Sequence, residues 1–451
     1  MLKQERQAWL VVAMLFATLA FIFGGTIATP GIFFAPLIRQ FGWSHARVSL
    51  LASSVTLGTI PGSVAVGFLL ERVDTRIPMV AGAALTAGSL LFASQADSYL
   101  PLLIAYFFAG FGVAMATLLP AALVVANWFQ AKRGIAMGVA IAGVSAGGMI
   151  MVQVADTAIH VSGWRAAYAA LALPVLLIVI PLVLLVVRTH PPDAFIQSST
   201  SESELQAGGF VRGLEGFNLA EAIKVRSFWL IAVAGFVFAF TVYGILTQLV
   251  VYLLGVGYRP GVAAIALSLT LGLNGIGKVL FGFLADRIGA RLALGLSFAI
   301  IASGIILLHV GSRETIGLAT FLFVYGPAWG APLMLLPLIT MESLGLKHYP
   351  SLGGILRVAE GVGAVLGPVA LGRIFDLTSS YRPAFGLCIL CALVGATATL
   401  GCREFNSTEI IAGEIFSAAV TGNPLEVAAT GDDLPPPHSD CEFPVSKIAD
   451  T

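Results

Sequence analysis

The chain has 451 residues, 58% of them hydrophobic and only 11% charged, with 24 basic and 24 acidic side chains. Soluble domains carry roughly 25% charged residues, and a nucleic-acid binder concentrates positive charge. The composition therefore argues against an ordinary soluble enzyme and against a nucleic-acid partner, and points to a lipid bilayer as the surroundings.

Apolar runs about 20 residues long, each enough to cross a ~30 Å hydrocarbon core as a helix, recur along almost the whole chain. Charge clusters and Gly/Pro turns place the first six spans near 9–36, 46–70, 77–96, 99–126, 134–158 and 165–187. The first is too long for the apolar core of a cleaved signal and has no small-residue cleavage site, so it is expected to remain as an anchor. Residues 1–187 then read as an N-terminal six-helix bundle. Residues 188–226 include HPPDAFIQSSTSESELQAGG, rich in Ser, Pro and Glu, and read as a disordered linker with a short helix near Leu219–Val225. Six further spans, near 227–254, 262–285, 292–311, 315–340, 350–374 and 382–402, make a C-terminal six-helix bundle over 227–402. The polar tail, 403–451, carries Pro435-Pro436-Pro437 and several acids and is expected to be disordered.

Cys388, Cys391, Cys402 and Cys441 show neither metal-ligand spacing nor a secreted disulfide framework. No metal, no cofactor and no nucleophile–base set is expected, so the chain does not read as an enzyme. Placing the N-terminus in the cytoplasm puts fifteen of the Lys and Arg residues in cytoplasmic segments and seven in outer ones. That bias predicts an even number of spans, both termini and the central linker in the cytoplasm, and a multi-pass protein of the cell membrane.

The two halves repeat. Gly67-Phe-Leu-Leu-Glu71-Arg72-Val-Asp74-Thr-Arg76 follows span 2, and Gly282-Phe-Leu-Ala-Asp286-Arg287-Ile-Gly289-Ala-Arg291 follows span 8, offset by 215. Gly42-Trp43 and Gly257-Tyr258 share that offset, and Trp164-Arg165 matches Tyr381-Arg382 at 217. Six spans per half give both halves the same orientation, as in parallel repeats about an axis along the membrane normal.

On these motifs the chain resembles the major facilitator superfamily. The Gly-x-x-x-Asp-Arg-x-Gly-x-Arg turn between spans 8 and 9 fits that family's hallmark at every position. The copy after span 2 departs from it with Glu71 for Asp and Asp74 for Gly. The resemblance implies an all-α membrane protein of twelve transmembrane helices in two six-helix pseudo-repeats. It also implies a gating role for Gly67, Glu71, Arg72, Arg76, Gly282, Asp286, Arg287, Gly289 and Arg291, with the acid at a helix end beside a cation. Gly31-Ile-Phe-Phe-Ala-Pro36-Leu, Phe41-Gly42-Trp43-Ser44, Trp128-Phe129, Arg133-Gly134, Tyr243-Gly244 and Asn274–Lys278 are similar to the oxalate/formate exchanger and monocarboxylate porter group.

A charge at the bilayer centre costs at least ~2.5–3.5 kcal/mol, so each one needs a reason. The C-terminal half holds Lys278, Arg357 and Glu360 in mid-span. Lys278 is about 12 Å from Asp286 along a helix, and Arg357 and Glu360 are about 10 and 15 Å past Pro350. At similar depths, the three are expected to line one aqueous site. The resemblance puts a cation at Lys278 in carboxylate carriers and Asn274 one turn before it. It also puts a lysine about where Glu360 stands in the oxalate exchanger, a departure that weakens oxalate as the substrate. Arg357 suits bidentate binding of a carboxylate. Glu360 is placed to exchange a proton, since burial favours the neutral carboxyl and a nearby cation the charged one. Tyr243 and Gln248 in span 7 are expected as substrate-facing donors. Dense glycines in span 5 (Gly134, Gly138, Gly143, Gly147, Gly148) and span 11 (Gly361, Gly363, Gly367) are expected to flank a moving interface.

The resulting expectation is a monomeric secondary transporter working by alternating access. Its partners are a small organic anion, expected to be a monocarboxylate, and either protons or a second anion in exchange. The rival is a proton-driven exporter of drugs or metabolites with the same fold. Against it, Gly143-Val-Ser-Ala-Gly147-Gly148 lacks the proline of the exporters' span-5 element.

Overall fold

A computed structural model describes residues 2–129, 132–187, 216–311 and 314–403. Most of the predicted linker, 188–215, and the predicted tail from 404 to 451 lie outside the described residues. The predicted apolar runs are helical throughout. We number the spans α1 (Glu5–Phe41), α2 (His45–Leu70), α3 (Arg76–Ser94), α4 (Tyr99–Trp128), α5 (133–162), α6 (164–186), α7 (Arg226–Val256), α8 (Pro260–Ile288), α9 (Ala290–Gly311), α10 (Thr315–Leu344), α11 (Tyr349–Thr378) and α12 (Arg382–Leu400). Among the described residues, extended pairing is limited to one bridge between Gly216 and Gly345.

By length and apolarity alone there are eleven membrane-crossing helices, because α5 and α6 run on as one 54-residue stretch, Arg133–Val186. At 1.5 Å per residue that stretch is about 80 Å long, more than twice a ~30 Å hydrocarbon core. Gly163 divides it, with φ 85° and ψ 170° in the middle of otherwise helical backbone. A residue without a Cβ adopts that conformation readily, so the chain reverses there. The spans thus number twelve.

Local signals set the other ends. Ser44 caps α2 by accepting from the Arg47 N–H, and Pro260 opens α8 where its missing N–H costs nothing. Asn218 and Glu221 form a reciprocal capping box on the short helix Leu219–Ala222 that precedes α7. The fourth helix of each half is broken near its middle. In α4 the break is at Thr117 (φ −117°, ψ −105°), and in α10 it is at Trp329–Gly330 after Pro327. Discontinuous helices at mid-depth are where transporter folds free backbone and side chains for a site.

Within each half the helices pack as equivalent pairs, α2 on α4 and α1 on α5, then α8 on α10 and α7 on α11. Two further pairings, α5 with α8 and α2 with α11, cross from one half to the other. Both rest on glycine. A Cβ on Gly282 would lie 2.4 Å from the Gly134 carbonyl, and one on Gly138 would lie 2.4 Å from the Lys278 carbonyl. Opposite them, a Cβ on Gly67 would lie 2.5 Å from the Pro350 carbonyl, and one on Gly354 equally close to that of Ser63. The expectation that these glycines flank a moving interface therefore divides by position. Gly134, Gly138 and Gly361 face the other half, whereas Gly143 and Gly147 pack on α1, and Gly363 and Gly367 pack on α7.

Candidate functional site

The charged turns after α2 and α8 lie on one face of the bundle, here called the turn side; the opposite face is the far side. On the turn side the two hallmark acids make equivalent contacts. Asp286 accepts from the backbone N–H groups of Gly134 (2.5 Å) and Ile135 (2.8 Å), in the first turn of α5. Glu71 accepts from Ser351 Oγ (2.5 Å) at the start of α11, and His348 Nδ1 lies 3.4 Å away. Each acid thus closes on the N-terminus of a helix in the opposite half, where unpaired N–H groups and the helix dipole favour negative charge. Arg133 at the start of α5 supplies a cation within electrostatic reach of Asp286, while the acid's hydrogen bonds go to backbone N–H groups. Arg287 lies over the Phe283 ring, 4.3 Å from its centroid, and Arg72 is exposed. Arg76 donates to the Val187 carbonyl and Arg291 to that of Leu400, so both tie the turn to their own half. Gly289 (φ 84°) ends α8 and lets α9 start at the next residue.

Between the halves lies a cavity of about 160 Å³. Its α2 and α4 walls offer the hydroxyls of Thr56, Thr59 and Thr117, and its opposite wall offers Tyr243, Arg357 and Glu360. The remaining lining is mostly apolar, with Phe23, Leu119, Phe238 and Leu333 among it. Arg357 Nη1 is 3.3 Å from Glu360 Oε2, and their side chains are 15% and 16% exposed. Behind the pair is a smaller space of about 20 Å³, bounded by Thr340 and Tyr349, with room for a water. One turn apart on α11, the two charges offset each other's desolvation and leave polar edges facing the cavity.

The three mid-span charges do not share this site, contrary to the expectation above. Lys278 is 1% exposed and does not line the cavity. It sits in the α5/α8 seam, where its Nζ donates to Ser145 Oγ at 2.9 Å. Ser145 in turn donates to Asn274 Oδ1 at 2.8 Å, and Asn274 is 2% exposed. Helix rotation separates the groups, since Lys278 points at α5 while Arg357 points between α2 and α7.

Gln248 lies outside the cavity as well. Its Oε1 accepts from the Tyr381 hydroxyl at 3.1 Å, clasping α7 to the start of α12. The first half has the equivalent clasp, Trp164 Nε1 donating to Gln40 Oε1. The repeat that pairs Trp164 with Tyr381 carried this information. Sequence reasoning missed Ser145 and the cavity threonines. Thr59 was within reach of it, since the 215-residue offset sets Thr59 against Asn274.

Comparison with known proteins agrees with this architecture. The chain is 26% identical over 382 residues to monocarboxylate transporter 13 of Bos taurus, covering 84% of this chain and 85% of that one. It is 24% identical over 359 residues to the oxalate:formate antiporter of Oxalobacter formigenes, covering 78% and 81%. Among solved structures it resembles the transporter FucP in its outward conformation. There the TM-score is 0.63 at 16% identity, with 86% of this chain and 97% of that one aligned, a likeness of fold. The Major Facilitator Superfamily model matches residues 14–368. With twelve helices in two repeats, the hallmark turns and that match, the chain is a multi-pass membrane transporter belonging to the Major Facilitator Superfamily.

Proposed function

We propose that this transporter carries a small organic anion, a monocarboxylate, by alternating access, coupled to a proton or to exchange of a second anion. The observation that carries the reading is the Arg357–Glu360 pair facing a cavity that is otherwise hydroxylated and apolar. A carboxylate entering the cavity competes with Glu360 for the guanidinium, whose planar fork matches it bidentately. Glu360, released from Arg357, is then the group that takes a proton, which keeps the loaded site near neutrality. Tyr243 and the three threonines orient the cargo, and the apolar wall accepts a short hydrocarbon end.

Cavity size favours this reading over an exporter of drugs. A volume of about 160 Å³ is below the ~300–1,000 Å³ of pockets that enclose drug-sized ligands. The named relatives, monocarboxylate transporters and an oxalate:formate antiporter, carry small carboxylates by their names. The paired charges in the cavity argue for one carboxylate on the cargo rather than two.

The hallmark acids supply the gate. Asp286 on α5 and Glu71 on α11 hold the turn side shut, and their release lets the halves rock apart there. The lysine and arginine distribution favours placing the turn side, and both termini, in the cytoplasm of a cell-membrane protein. A single chain encloses the cavity, so a monomer suffices.

Proteoliposomes holding the full chain test the reading with labelled formate, lactate, pyruvate and oxalate across a pH gradient. Saturable uptake of a monocarboxylate, abolished by Arg357→Ala, is expected. An inward proton gradient that fails to stimulate uptake removes Glu360 from its role and leaves exchange. Uptake unchanged in Arg357→Ala refutes the site.

A further inference from the structure

Lys278 is more deeply enclosed than either member of the Arg357–Glu360 pair. The Ser145 hydrogen goes to Asn274, so its oxygen is free to accept from the ammonium. Among the described residues no carboxylate pairs with Lys278, and Asn274 Nδ2 is buried without a partner. An ammonium held by one hydroxyl in a dry seam gains from any anion that reaches it. What keeps anions away is the seam itself. Ser145 belongs to the first half, while Lys278 and Asn274 belong to the second.

The close glycine contacts of the seam run from the turn side to mid-depth. From the turn side, α5 and α8 touch at Gly134 against Gly282, at Gly138 against Lys278, and at Ser145 against Gly275. Farther along, Gly272 has no neighbour within 4 Å of an added Cβ, and Gly148 meets only Ala28 of its own half. The contacts that cover Lys278 are therefore those that part when the turn side opens. Arg357, in contrast, already lines the cavity while the turn side is shut.

We propose that the two cations serve opposite faces of the membrane. Arg357 meets the carboxylate that arrives from the far side, and Lys278 meets the one that arrives from the turn side. Ser145 is the positioning residue that withholds Lys278 until α5 and α8 separate. This rests on the reading of Arg357 as the carboxylate ligand and extends it to Lys278. It adds that the anion passes from one to the other as the halves rock, instead of being clamped by both.

Thiol accessibility tests the sidedness without a substrate. Cys388, Cys391, Cys402 and Cys441 are replaced by serine in the full chain, and Lys278→Cys, Ser145→Cys and Arg357→Cys are made singly. Vesicles of each orientation are then treated with a membrane-impermeant thiosulfonate. Positions 278 and 145 are expected to react from the turn side and position 357 from the far side. Ser145→Cys keeps every charge, so it remains informative where a charge-removing variant misfolds. Reaction of 145 from the far side, or from neither side, overturns the proposal.

Kinetics with labelled lactate and pyruvate add the second arm. Lys278→Gln is expected to raise the half-saturation constant about tenfold on the turn side, equivalent to ~1.4 kcal/mol, with little change on the far side. Ser145→Ala is expected to lower the turn-side constant where Lys278 is present, because the ammonium no longer has to leave the hydroxyl, and to leave it unchanged in Lys278→Gln. Equal effects on both faces, or the same Ser145→Ala effect in both backgrounds, overturn the proposal. A wild-type protein that carries none of the labelled carboxylates sinks the substrate reading alone, because the thiol labelling still decides the sidedness.

Discussion

The α5/α8 and α2/α11 seams come from one repeated design and put their polarity to different uses. Both close through glycine on the turn side, and both end there in a hallmark acid docked on a helix N-terminus. At mid-depth they differ. In α5/α8 the charge is on α8 and faces the seam, held by a serine from the other half. In α2/α11 the charges are on α11 and face the cavity, paired with each other. The residue equivalent to Lys278 is Ser63, whose carbonyl accommodates Gly354. The scaffold is therefore symmetric at its turn-side closures and asymmetric in its mid-depth charges.

The largest effect is expected from splitting the charged pair. Arg357→Ala leaves Glu360 buried without its partner, a loss of about 3–5 kcal/mol. Its unfolding midpoint in detergent should fall accordingly, and Glu360→Gln in the same chain should restore much of it without restoring transport. If Arg357→Ala melts like wild type, the pair is solvated and the α2/α11 seam is no different from its counterpart.

Next in size is obstruction of a seam. Gly282→Val forces a side chain against the Gly134 carbonyl, an overpacking cost of about 1–3 kcal/mol paid only while the turn side is shut. Spin labels on the turn-side ends of α5 and α8 should move apart. Gly354→Val should part α2 from α11 in the same way, and a distance that changes at one seam only would show that the two do not open together.

Smaller shifts are expected at the gate. Asp286→Asn and Glu71→Gln each forfeit a charge at a helix N-terminus, worth about 0.3–1 kcal/mol. The same spin-label distances should broaden toward the open state, more so in the double variant. The smallest effect belongs to the far-side clasps. Tyr381→Phe removes the single hydrogen bond of the second-half clasp, about 1 kcal/mol, and should lower the unfolding midpoint slightly while leaving uptake intact.

Much of the scaffold was legible in the sequence. Apolar runs gave the spans, the offset of 215 paired the halves, and Gly282–Arg291 marked the turn between α8 and α9. The division of the mid-span charges was not legible. Depth along a helix follows from counting residues, but the direction a side chain faces depends on how each helix is rotated against its neighbours. Lys278 and Arg357 were placed at similar depth, yet face different partners. Asp286 was expected beside a cation because the sequence displays side chains; its hydrogen bonds go to the backbone N–H groups of Gly134 and Ile135, with Arg133 beside them. Gln248 reads as a substrate donor until Gln40 and Trp164 show the same clasp in the other half.

The central claim is that the Arg357–Glu360 pair recognises the cargo. The most direct test is the concentration dependence of labelled lactate and pyruvate uptake by proteoliposomes holding the Arg357→Gln/Glu360→Gln double variant, a neutral pair that leaves no buried charge unpartnered. The account predicts a protein that melts near wild type and has lost saturable uptake. Saturable uptake at the wild-type half-saturation constant would contradict it.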